Sequence, residues 1–152
     1  MPESATADDA VVIEREINAP IDAVWSMWTD PEQFRGWYGP DGATIPVARF
    51  DLTPNGERVV AMRVQTPGGE RSMWFVGAHE ELHPPRLLVY SEAMATEDGG
   101  PPQGPTTIVR VELEELDGGR TRLRLTHQGI PADSPGAVGW NMALAKLEAA
   151  FA

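Results

Sequence analysis

The spacing of apolar and polar positions changes period twice along the chain. Over residues 11–18 it alternates, with Ile13, Arg15 and Ile17 on one face and Glu14 and Glu16 on the other, which predicts a strand with one wet side. Ala19-Pro20 ends that strand. Pro20 then suits the first position of a helix, Asp22 falls in its first turn, and Val24, Trp25 and Trp28 supply its apolar face. Thr29-Asp30-Pro31-Glu32 repeats the arrangement: Asp30 caps, Pro31 opens, and Phe34 and Trp37 turn inward on a second short helix stopped by Gly39-Pro40.

From there to about residue 128 the period is that of strands. Segments 44–51, 58–65, 71–82 and 87–92 are divided by turn residues, Pro-Asn-Gly at 54–56, Pro-Gly-Gly at 67–69 and His83-Pro84-Pro85. Residues 93–105, rich in glycine and proline, predict a long loop placed to form a lid. A closing hairpin, 107–116 and 121–128, turns at Asp117-Gly118-Gly119; Val109, Val111 and Leu113 face Leu123, Leu125 and His127, and Arg110, Glu112, Arg122 and Arg124 face water. The period then returns to that of a helix over 134–152. Trp140, Leu144, Leu147 and Phe151 form one row, and Val138, Met142, Ala145 and Ala149 form a second beside it. Ser134 or Asp133 caps this helix. A stripe that broad needs a sheet to cover it, so the expected fold is α+β: a curved antiparallel sheet of about six or seven strands, two short helices after the first strand, and a long C-terminal helix gripped by the sheet.

Length and composition narrow the functional classes. At 152 residues the chain suits one domain, expected over 11–152 behind a disordered leader at 1–10. It contains no cysteine, which removes disulfides, thiolate metal sites and cysteine nucleophiles. A net charge of -11 argues against nucleic acid or an anionic membrane as a partner. The acidic N-terminus resembles no targeting signal, and a cytoplasmic protein is expected. His79, His83 and His127 lack metal spacing, and neither a Gly-x-Ser-x-Gly elbow nor a phosphate loop occurs, so no metal, cofactor or catalytic residue is assigned.

The run from Arg15 through Asn18-Ala19-Pro20, Trp25, Trp28-Thr29-Asp30-Pro31 and Phe34 to Trp37-Tyr38-Gly39-Pro40, followed by Gly139-Trp140 and Leu144-Ala145-Lys146-Leu147, resembles the family named after the activator of the heat-shock protein 90 ATPase. That family lies within the START-like (SRPBCC) superfamily of helix-grip folds, and the resemblance spans 11–151. It implies a hydrophobic cavity between the last helix and the sheet. It does not imply one activity, because the superfamily holds lipid and hormone carriers, polyketide cyclases and aromatases, and co-chaperone domains.

The expected function is binding of a small hydrophobic or aromatic molecule in that cavity. A cyclase-like enzyme, or a co-chaperone-like module meeting a chaperone or a second copy of the chain, stands as the alternative. Expected cavity-lining residues are Trp25, Trp28, Phe34 and Trp37 from the short helices, Met62, Trp74 and Tyr90 from strands, and Trp140, Met142 and Leu144 from the last helix. Apolar periodicity does not separate pocket wall from core, and strand parity leaves open whether Met73 and Phe75 or Trp74 and Val76 face inward. Arg15, Tyr90 and His127 are the polar candidates, each on an otherwise apolar face; a ligand, or a partner within the core, would satisfy them.

Overall fold

The computed structural model describes residues 9–96 and 100–152. Strand β1 (Ala10–Ile17) is followed by α1 (Ile21–Thr29) and α2 (Pro31–Phe34). Six further strands come next: β2 (Thr44–Phe50), β3 (Glu57–Thr66), β4 (Gly69–His83), β5 (Leu87–Ala95), β6 (Thr107–Leu116) and β7 (Arg120–Gln128), and helix α3 (Pro135–Ala149) closes the chain. The strands form one antiparallel sheet in the order β1-β7-β6-β5-β4-β3-β2, so the first strand closes one edge against the last. This is the α+β helix-grip arrangement. Of the expected leader only Asp9 and Ala10 fall within the described residues, and Ala10 already belongs to β1.

Local chemistry accounts for most boundaries. Asp30 accepts the backbone N–H of Glu32 and Pro31 occupies the first turn of α2, while Ser134 accepts the N–H of Ala137 and Pro135 opens α3. The β6–β7 hairpin pairs Val109 with His127, Val111 with Leu125 and Leu113 with Leu123, the register that alternation predicts. Its outer face carries exposed ion pairs, among them Glu114–Arg122, Glu14–Arg124 and Glu16–Arg120.

Two expectations need correction. Residues 93–95 are strand rather than loop, because β5 continues to Ala95; beyond it Ala95 bridges Pro102 and the Gln103 N–H bonds the Met94 carbonyl at 2.6 Å. Residues 97–99 of the expected loop lie outside the described residues. On α3 the second apolar row is displaced: Val138 (55 % exposed), Ala145 and Ala149 are exposed, and the small residues Ala137 and Ala143 are buried along with Trp140, Leu144 and Leu147. The buried stripe is narrower than the apolar sequence, since alanine costs little at an exposed helical position.

Candidate functional site

One end of the grip is solid. Trp28 and Trp37 meet edge to face at 4.6 Å, Phe34 stacks on Tyr38 at 4.5 Å, and Trp140 lies 5.9 Å from Trp28. The Trp37 indole N–H donates to the Met27 carbonyl at 2.8 Å, and Leu144 and Leu147 are fully buried against this cluster. Trp28, Phe34, Trp37 and Leu144 are therefore packed core rather than cavity wall, and Trp25 sits half-buried at its edge. Large side chains at the short-helix end interlock and leave no room.

The other end is open. Between the first half of α3 and the inner face of β3–β5 lies a cavity of about 820 Å³. Met62, Met73 and Phe75 reach it from the sheet, Tyr38, Gly39 and Pro40 from the segment after α2, and Gly139, Trp140, Met142 and Ala143 from α3. Met94, Val138 and the segment Gln103, Gly104 and Pro105 border it, and Met94 and Val138 are about half exposed. Gly39 is required where it stands: its φ is +89°, and a Cβ there would come within 2.9 Å of Met62 Sδ.

Register settles the parity that the sequence leaves open. Met73 pairs with Met62 and Phe75 with Val60, residues of the inner face, whereas Trp74 pairs with Ala61 on the outer face. Trp74 therefore does not line the cavity, and Phe75 and Met73 do. Of the residues expected at the cavity, Met62, His127, Trp140 and Met142 line it.

The polar candidates separate. Arg15 is drawn to a side of α3 that does not line the cavity, donating to Asn141 Oδ1 at 2.7 Å and pairing with Glu148 at 2.8 Å. Tyr90 is fully buried behind the wall, its ring 3.7 Å beneath the Arg58 guanidinium, with no hydrogen-bond partner for its hydroxyl. Burial, opposed by Arg58 and helped by Glu92, raises its phenol pKa. His127 is at the wall with both nitrogens engaged. The Trp140 indole N–H donates to Nδ1 at 2.9 Å, which requires the proton on Nε2, and Nε2 lies 2.8 Å from Thr107 Oγ1. Thr107 in turn donates to the Glu92 carbonyl at 3.2 Å. Burial pushes the imidazole pKa down to about 4, so His127 is neutral at pH 7 and its 4.0 Å approach to Glu92 is not an ion pair there.

Sequence reasoning missed Arg58 and Glu92. Both are buried, at 3 % and 6 % exposure, with Arg58 Nη1 3.6 Å from Glu92 Oε1. The guanidinium is enclosed by Tyr90, Phe50 at 5.0 Å and Phe34 at 5.2 Å. Glu92 lines the cavity, Arg58 does not, and no hydrogen bond reaches Glu92 Oε1. Burial raises the Glu92 pKa against the opposing pull of Arg58. The same burial, with repulsion from Glu92, holds the Tyr38 phenol well above its ordinary value. The available signal was phase: Glu92 alternates with Leu88 and Tyr90, and Arg58 with Val60 and Met62.

Among the described residues no group of three or more His, Asp or Glu side chains is placed to hold a metal, and no helix is long and apolar enough to cross a membrane. Comparison with curated proteins gives no match. Solved structures do match. A Mycobacterium smegmatis protein is 22% identical with a TM-score of 0.80 over 99% of this chain and 96% of its own. A Nitrosomonas europaea protein is 24% identical with a TM-score of 0.76 over 95% and 94%. A Silicibacter pomeroyi protein is 22% identical with a TM-score of 0.73 over 93% and 96%. At these identities the likeness concerns the fold. The model of one family, described as Activator of Hsp90 ATPase homolog 1-like protein, matches residues 18–152, which includes both short helices, the cavity strands and α3, and the chain belongs to that family.

Proposed function

We propose that the protein binds a small hydrophobic or aromatic molecule in the space between the first half of α3 and the β3–β5 face. The observation that carries this reading is the cavity itself. Its volume of about 820 Å³ falls within the range of roughly 300–1,000 Å³ usual for small-molecule sites, and its wall is mostly methionine, aromatic, alanine and glycine. Methionine side chains adapt to irregular apolar shapes, and Trp140 and Phe75 offer flat surfaces. In this reading His127 is a fixed part of the wall, since both of its nitrogens already have partners.

The test is Gly139→Leu. Gly139 lines the cavity, a Cβ built there meets nothing within 4 Å, and the position is inside a helix. Leucine fills the space and improves helix propensity by about 1 kcal/mol. Native mass spectrometry of the gently purified wild type is expected to show a stoichiometric mass that disappears on unfolding, and the variant is expected to lose it while melting no lower. A ligand retained unchanged by Gly139→Leu would place it elsewhere, and a protein that carries no added mass and accepts no apolar probe would end this reading.

A further inference from the structure

An apolar cavity does not need a buried ion pair, and removing charges from water is costly unless hydrogen bonds complete their shells. Here the two charges stand 3.6 Å apart, without a hydrogen bond between them. Arg58 is served by the Glu92 carboxylate and by aromatic faces above and around it. Glu92 Oε1 is enclosed on the Arg58 side, 3.6 Å from Nη1 and without a hydrogen bond; Oε2 is the oxygen left to the cavity, and His127 Nε2, 4.0 Å from it, already points its proton at Thr107. Glu92, unlike Arg58, lines the cavity.

We infer that the cavity selects a neutral apolar molecule carrying one hydroxyl, an alcohol or a phenol, whose O–H donates to the Glu92 carboxylate while its hydrocarbon body lies among Met62, Met73, Phe75 and Met142. This rests on the ligand-binding reading and adds the chemical class. Charge decides between the options. Arg58 and Glu92 already cancel, so a cationic ligand would leave a net positive charge in a low-dielectric site. An anionic ligand meets the Glu92 carboxylate first and cannot reach the guanidinium, which does not line the cavity. A hydroxyl adds no charge and supplies a donor to Oε2. The Tyr38 phenol, on the same wall and held in its protonated form by burial, is a neutral neighbour to such a group.

The test uses three probes on one ring system: 2-naphthol, naphthalene and 2-naphthoate. Binding to the whole protein at pH 7 is followed by the methyl NMR signals of Met62, Met73, Met94 and Met142, which line the cavity and report occupancy of that place. A hydrogen bond to a carboxylate corresponds to about tenfold or more in Kd, so 2-naphthol is expected to bind at least about tenfold tighter than naphthalene, with 2-naphthoate the weakest. Glu92→Gln is expected to reduce the gap between naphthol and naphthoate by improving naphthoate. Equal affinity of naphthol and naphthalene, or preference for naphthoate, overturns the hydroxyl assignment and leaves the cavity reading intact. Failure of all three probes to shift the methionine signals overturns both. The wild-type series decides the matter even where Glu92→Gln, which leaves Arg58 without its partner, unfolds.

Discussion

The two halves of α3 face the same sheet and behave oppositely. Toward its C-terminus Leu144 and Leu147 are fully buried in the core that also holds the tryptophans and Phe34. Toward its N-terminus Gly136, Gly139 and Ala143 stand over methionines and an open space of about 820 Å³. Side-chain size along one helix contributes: Leu144 and Leu147 fill their part of the core, whereas Gly139 leaves open the space that a side chain would take. The polar groups do not follow that division: the indole of Trp37 finds a backbone carbonyl, but that of Trp28 beside it has no partner, as one oxygen of Glu92 at the hollow half has none.

That contrast can be broken most severely at its polar floor. Arg58→Met leaves Glu92 buried beside the cavity without a counter-charge, and loss of one partner of such a pair costs about 3–5 kcal/mol. Urea unfolding is expected to show this loss, and a loss of the size usual for an exposed ion pair would mean that water reaches Glu92 freely. Next comes packing. Leu147→Ala in the solid half is expected to cost about 2–5 kcal/mol, while Val138→Ala over the hollow half stays within about 0.5 kcal/mol. Similar costs at both positions would contradict the division of the helix.

Acid sharpens the comparison by acting on the wall. The His127 pKa falls from 6.5 to about 4 on folding, so the unfolded chain binds the proton more readily, and the stability present above pH 6.5 is lost as pH falls toward 4. The full shift corresponds to about 3 kcal/mol. His79, whose pKa burial and Arg58 also lower, adds a loss of the same sign, and Glu92, raised by burial, acts in the opposite sense. Comparing wild type with His127→Gln isolates the first contribution: the variant is expected to lose less stability between pH 7 and pH 4.5, and parallel curves would remove His127 from the account.

The hairpin β6–β7 was legible because strict alternation with an Asp-Gly-Gly turn admits one register, and α3 because Trp140, Leu144 and Leu147 recur at helical spacing. Trp74 was not. Met73, Trp74, Phe75 and Val76 are apolar on both faces, so parity carries no signal, and only pairing with Met62 and Ala61 turns the first inward and the second outward. Glu92 was hidden for a different reason. A glutamate near a strand end is usually solvated, and its burial depends on Arg58 of β3 and His127 of β7 coming to it from distant parts of the chain.

By itself, the sequence determined the order of elements, their caps and turns, the antiparallel pairing of the closing hairpin and the gripping helix, because each follows from neighbours within a turn or a strand length. Only the tertiary structure decided which aromatic residues are solid core, where the cavity opens, and that Arg58 and Glu92 pair behind its wall, with Glu92 alone lining it. Those outcomes depend on the volumes and charges that segments far apart in the chain bring to one place, and periodicity records which face a residue takes but not what stands opposite.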